Sequence, residues 1–141
     1  MAENFQLQIY KEMALSLHCH KSKGAIIPAK PILLIGICNA IDCGLISNNR
    51  ISITEVEKQY RILQKQYLVK TTFNYPFYFL DSEPFYHLKW NEKKIETNTP
   101  SVAMLRSNIE YAYLDDALWD LLQDKETRDY FRKAIEDYYL K

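Results

Sequence analysis

Hydrophobic residues in this chain follow a helical period almost throughout, with one stretch that is apolar on nearly every side. That stretch is residues 26–46, IIPAKPILLIGICNAIDCGLI, in which only Asn39 is strongly polar between Ile32 and Ile41. A helix apolar all round packs inside other helices, so the pattern predicts a central core helix. Pro28 and Pro31 have a fixed φ and no N–H, which suits the approach to a helix and its first turn. Gly44 stands where a left-handed C-terminal cap would fall. A first helix is predicted over residues 4–19, with Phe5, Leu7, Ile9, Met13, Leu15 and Leu17 as its apolar material. Ser52 or Thr54 caps a helix running to about Leu68, with Val56, Tyr60, Leu63 and Tyr67 on one face. Residues 102–111 read as helical, and Asp115 or Asp116 caps a short helix through Leu122. Asp124 caps the last helix, residues 125–140, with Tyr130, Phe131, Ile135 and Tyr138 on one stripe.

Residues 73–90 break the helical pattern. FNYPFYFL, a turn at 81–84 and FYHLKW place β-favouring rings on either side of turn residues, which predicts an aromatic-rich β-hairpin. One face of a two-stranded ribbon cannot bury all of these rings. Some are therefore expected to fill the core and others to line a surface pocket. The predicted fold is mainly α with a small β-hairpin (α+β), its helices packed around the central one. With 141 residues, a single domain over 1–141 is expected, large enough to bury roughly two-thirds of its unfolded surface.

Composition and charge narrow the function. The longest strongly apolar run, residues 31–38, is far too short to span a membrane, and the N-terminus carries no export signal. Cys19, Cys38 and Cys43 cannot all pair within one chain, so reduced thiols and a cytoplasmic location are expected. A net charge of zero argues against a strongly basic nucleic-acid binder. The distribution is less neutral. No acid occurs between Glu12 and Asp42, where Lys21, Lys23 and Lys30 lie, or between Glu57 and Asp81, where Lys58, Arg61, Lys65 and Lys70 lie. Acids collect in the C-terminal third. If the two acid-free stretches meet in space, a local positive face survives the neutral total.

Catalytic signatures are absent from the sequence: it has no Gly-rich phosphate loop, nucleophile elbow or H-E-x-x-H pair. His18, Cys19 and His20 are adjacent, a poor spacing for one metal site, and no second ligand pair completes four. Cys19 as a nucleophile would need a base and an orienting group that nothing in the sequence indicates. The chain is read as a non-enzyme with no cofactor and no metal.

The order of several short elements resembles a known family. Pro28-Ala29-Lys30-Pro31 leads into Ile32-Leu33-Leu34, followed by Gly44-Leu45-Ile46, Asn49-Arg50-Ile51, Tyr75-Pro76-Phe77 and Phe85-Tyr86-His87-Leu88. Leu105-Arg106, Ala112-Tyr113-Leu114-Asp115 and Leu118-Trp119 then complete the series. Over about residues 24–140 this resembles the sulfur-binding domain of type IV, phosphorothioate-dependent restriction endonucleases. In that family the domain precedes a His-Asn-His nuclease domain, which this chain does not contain.

The resemblance implies a module that binds double-stranded DNA and recognises a backbone phosphate carrying sulfur in place of oxygen. It implies a sulfur pocket at Pro28, Ala29, Tyr75, Pro76 and Phe79, and DNA contacts from Lys30 and Arg106. Lys21, Lys23 and Lys65 join the expected DNA-binding set because they lie in the acid-free stretches or beside them in the basic loop. Sulfur is larger, more polarisable and less hydrated than oxygen, so an apolar dimple favours it. Ala29 stands where the family's Pro-His-[Lys/Arg]-Pro element has histidine, and Phe79 where a smaller residue is expected. The expected setting is restriction or defence, with a separately encoded nuclease as partner and no membrane. The alternative is a protein-interaction module of the same fold that has lost DNA recognition, its acidic C-terminal helix docking a basic partner.

Overall fold

The apolar run forms the core helix that the sequence predicts. In the computed structural model, which describes residues 4–141, α2 (Ala29–Asp42) is buried at every position from 29 to 38. Pro28 is its N-cap residue, and the Pro28 carbonyl accepts from Ile32 N–H at 3.1 Å. At the other end Gly44 has φ +72°, its N–H donating to Ile41 and that of Leu45 to Ala40. This is the paired-bond cap that glycine supplies without steric cost.

Other helices surround α2. α1 (Phe5–Ala14) is capped by the Asn4 side chain, which accepts from Leu7 N–H at 3.0 Å. It is shorter than the predicted 4–19, because the chain turns at Leu15 to reach two distant partners. Leu17 N–H donates to the Tyr139 hydroxyl and His18 N–H to Glu83. A two-residue hairpin follows, β1 (Lys21–Ser22) against β2 (Ala25–Ile26), with Lys23 and Gly24 both at positive φ, the pair of angles a tight hairpin turn needs. α3 (Ile53–Gln66) is capped by Ser52 and packs Ile53, Val56, Tyr60 and Leu63 inward against α2.

Residues 73–90 depart from the predicted hairpin. Their first half is helical: α4 (Asn74–Phe79) runs into a 3-10 turn, Leu80–Ser82. Phe73, Phe77 and Leu80 recur at helical spacing, and burying all three outweighs the β propensity of the individual rings. Pro76 is tolerated because it sits in the first turn, where its missing N–H has no helical partner to lose. Only the second half is a strand, β3 (Tyr86–Trp90). Its partner is β4 (Ile109–Leu114), antiparallel, with Tyr86 opposite Leu114 and Leu88 opposite Ala112. The helix predicted over 102–111 therefore ends early, as α5 (Val102–Asn108), where Ile109, Tyr111 and Tyr113 begin a strand pattern.

α6 (Asp116–Leu121) and α7 (Lys125–Tyr139) close the fold. Asp115 occupies the N-cap position of α6 without capping it, because its carboxylate instead takes the Tyr10 hydroxyl at 2.9 Å and His87 Nε2 at 2.6 Å. The inward stripe of α7 is Arg128, Phe131 and Ile135, while Tyr130 and Tyr138, expected on that stripe, are exposed. Arg128 Nε donates to Asp42 Oδ1 at 2.7 Å, joined by Arg132, which fastens α7 to the end of α2. Among the described residues no helix is long and apolar enough to cross a membrane.

Candidate nucleic-acid interface

The mouth of α2 opens into a cavity of about 750 Å³. Four parts of the chain wall it: His18, Cys19, His20 and Ile27 around the small hairpin, Ala29 and Lys30 at the helix start, Lys70–Thr72 after α3, and Tyr75, Pro76 and Phe79 on α4. Ser82 and Asn98 complete the lining. The walls are mainly apolar, with a few polar groups converging on them, the usual character of a binding pocket.

α4 holds its rings rigidly. Tyr75 and Phe79 are one helical turn apart, so both point to the same side. Their ring planes lie within 13° of parallel with centroids 6.5 Å apart. Behind them Tyr78 meets Phe79 edge-on at 4.9 Å, and its hydroxyl donates to the Ile95 carbonyl at 2.7 Å. Asn74 Nδ2 donates to the Pro100 carbonyl at 2.7 Å, anchoring the start of the helix. Phe79 thus lines the cavity without filling it.

Lys30 differs most from its sequence reading. Its charge does not stand free at the helix mouth. Nζ lies 2.9 Å from Glu83 Oε2 and 3.3 Å from Ser82 Oγ, with the Lys30 side chain 9% and the Glu83 side chain 2% exposed. Glu83 Oε2 also accepts from His18 N–H at 3.0 Å. Arg106 is tied down as well: its guanidinium donates to the buried Glu57 at 2.8 Å and to Thr54 at 3.3 Å, and it does not line the cavity. Pro28 is likewise outside the lining. Lys21, Lys23 and Lys65 are exposed to solvent and also stand outside it.

The lysine that the sequence reading did not select is Lys70, exposed and lining the cavity. Its signal was present, since it lies in the acid-free stretch between Glu57 and Asp81. Its neighbour Thr71 is fixed by its carbonyl, which accepts from the Tyr60 hydroxyl at 2.7 Å and Gln64 Nε2 at 3.1 Å. Burial pushes the Cys19 thiol up despite the nearby Lys30 ammonium, which disfavours the thiolate a nucleophile requires. Among the described residues no three His, Cys, Asp or Glu side chains gather as a metal-ligand set.

No protein-family model and no curated protein matches the chain. Solved structures do. The sulfur-binding domain of ScoMcrA complexed with phosphorothioated DNA matches with a TM-score of 0.73 at 14% identity, over 98% of this chain and 88% of that one. The sulfur-binding domain of SprMcrA, also complexed with phosphorothioated DNA, gives 0.73 at 14% identity over 96% and 86%. The fold is that of a sulfur-binding domain. The structure of ScoMcrA that holds both the sulfur-binding domain and the SRA domain gives a TM-score of 0.76 at 14% identity. The match covers 93% of this chain and 42% of that two-domain chain, so the sulfur-binding fold accounts for less than half of the larger chain.

Proposed function

We propose that the chain is a non-catalytic, single-domain DNA-binding module that receives a phosphorothioate linkage in the α2–α4 cavity. One observation carries this reading. On the fold of domains solved with phosphorothioated DNA, Ala29, Tyr75, Pro76 and Phe79 line one mainly apolar cavity beside the start of α2. A sulfur atom, weakly hydrated and polarisable, leaves water for such walls at less cost than an oxygen does. Lys70 at the cavity and the exposed Lys21, Lys23 and Lys65 outside it hold flanking phosphates, while Lys30 lines the pocket with its charge already paired to Glu83. The setting is restriction or defence in the cytoplasm, in company with a nuclease.

A gel shift comparing phosphorothioated with ordinary duplex of one sequence tests this. Tighter binding of the modified duplex is expected; equal affinity removes the sulfur claim, and no binding at low salt removes the DNA claim. A second reading, the protein-interaction module, draws on the pairing of Lys30 and Arg106 with the buried carboxylates of Glu83 and Glu57. It predicts the last of those outcomes. The acidic-helix argument for it is weak, because α7 carries four cations and four acids, with Asp129 and Asp137 paired to lysines or arginines of the C-terminal segment.

A further inference from the structure

We infer that Glu83 sets how strongly this pocket depends on sulfur, by cancelling the charge of Lys30. The inference rests on the function proposed above and concerns a residue that does not itself line the cavity. Glu83 lies behind Lys30, its carboxylate 2.9 Å from Nζ and almost wholly out of water. It is held there from two sides: His18 N–H donates to the same oxygen at 3.0 Å, and Glu83 N–H donates to the Leu80 carbonyl at 2.9 Å. The His18 ring nitrogen Nδ1 stands 3.5 Å from that oxygen, and Lys70 is the other charged group facing the cavity.

A lysine alone at this place would attract every phosphate, modified or not. Paired with a buried carboxylate, it contributes almost no net field to the cavity. An anion that sought Nζ would also meet the carboxylate behind it. An ordinary phosphate oxygen entering the pocket gives up its hydration and finds no free charge in return. Sulfur gives up less hydration and gains contact with Ile27, Ala29, Pro76 and the two rings. Glu83 acts through Lys30, as a positioning residue, by making the pocket poor for oxygen.

The test measures salt dependence and the ratio of affinities for phosphorothioated and ordinary duplex in wild type, Glu83→Gln and the double variant Lys30→Gln/Glu83→Gln. Freeing Lys30 by Glu83→Gln is expected to steepen the log–log salt slope by about 0.9, one phosphate's worth. It is also expected to reduce the modified-to-ordinary ratio roughly threefold or more, since the ordinary duplex gains most. The double variant keeps a neutral pair and is expected to retain the wild-type slope. Glu83→Gln with slope and ratio both unchanged overturns the inference, as does a double variant whose slope is shallower by about 0.9. If Glu83→Gln does not fold, the double variant decides alone by the same criterion. Failure of wild type and Glu83→Gln to bind either duplex at low salt overturns the proposed function as well, whereas binding by wild type with no response to Glu83→Gln overturns the role of Glu83 only.

Discussion

Leu68 is the residue most at odds with its own backbone. It closes α3 at φ +56°, with its N–H on the Lys65 carbonyl and that of Val69 on Gln64, in the position that Gly44 fills after α2. A leucine there carries a Cβ clash that glycine lacks, and at 86% exposure it gains little packing in return. Leu68→Gly is expected to stabilise the protein by about 0.5–1 kcal/mol, read from the midpoint of urea unfolding. Lys70 illustrates the opposite case, a side chain whose cost is small and whose placement matters. Because it is exposed at the cavity and unrestrained by a buried acid, Lys70→Ala should make the salt slope shallower by about 0.9 and leave the thermal midpoint unchanged. A slope equal to wild type would remove Lys70 from the interface.

Among the elements, α2 shows how tightly the core constrains substitution. A Cβ on Gly36 would meet Gln59 Cβ at 3.5 Å and Tyr60 N at 3.6 Å, ordinary contact distances. Gly36→Ala therefore removes a flexible residue from a helix interior without a clash, and should add about 0.5–1 kcal/mol in the same unfolding measurement. Larger residues would push α3 away, so Gly36→Leu is expected to destabilise. α4 carries the clearest lesson about reading sequence at this scale. Its string of rings has high strand propensity, yet Phe73, Phe77 and Leu80 are buried at helical spacing, and burial of large side chains outweighs a propensity scale spanning about 1 kcal/mol. That the segment is helical is what brings Pro76 to the same side of the cavity as Tyr75 and Phe79; on a strand Tyr75 and Phe79 would still share a face, but Pro76 would turn to the other.

For the molecule as a whole, the α2–α7 junction predicts its response to acid. Burial pushes the Asp42 carboxyl up, but hydrogen bonds from Arg132 and Arg128 outweigh that and hold it below its ordinary value. Asp124, Asp129 and Asp137 are also held low, Asp124 by Thr127 and the other two by neighbouring lysines. A carboxyl whose pKa is lower folded than unfolded stabilises the fold above its unfolded value, and that contribution disappears as pH falls through the folded value. Thermal midpoints should thus be flat near neutrality and drop below about pH 4, near the ordinary carboxylate range. Asp42→Asn should lower the midpoint at pH 7 and flatten the drop; an unchanged acid profile would mean that the junction does not govern acid stability.

The sequence by itself determined the core helix, its proline entrance and glycine exit, the caps of α3 and α7, and the order of elements that resembles the sulfur-binding domain. These are local properties: period, cap chemistry and φ restriction act over a few residues, and each was legible where it stood. The resemblance also brought together on paper Pro28, Ala29, Tyr75, Pro76 and Phe79, of which all but Pro28 line one cavity in the structure. Tertiary structure alone decided the partner of β3, the helical state of residues 74–79, and the electrostatic condition of the site. Lys30 and Arg106 look alike in sequence to free cations, because the acids that meet them, Glu83 and Glu57, are 53 and 49 positions away. A charge is neutralised by whatever the fold places within a few ångströms of it, and no local pattern records that distance.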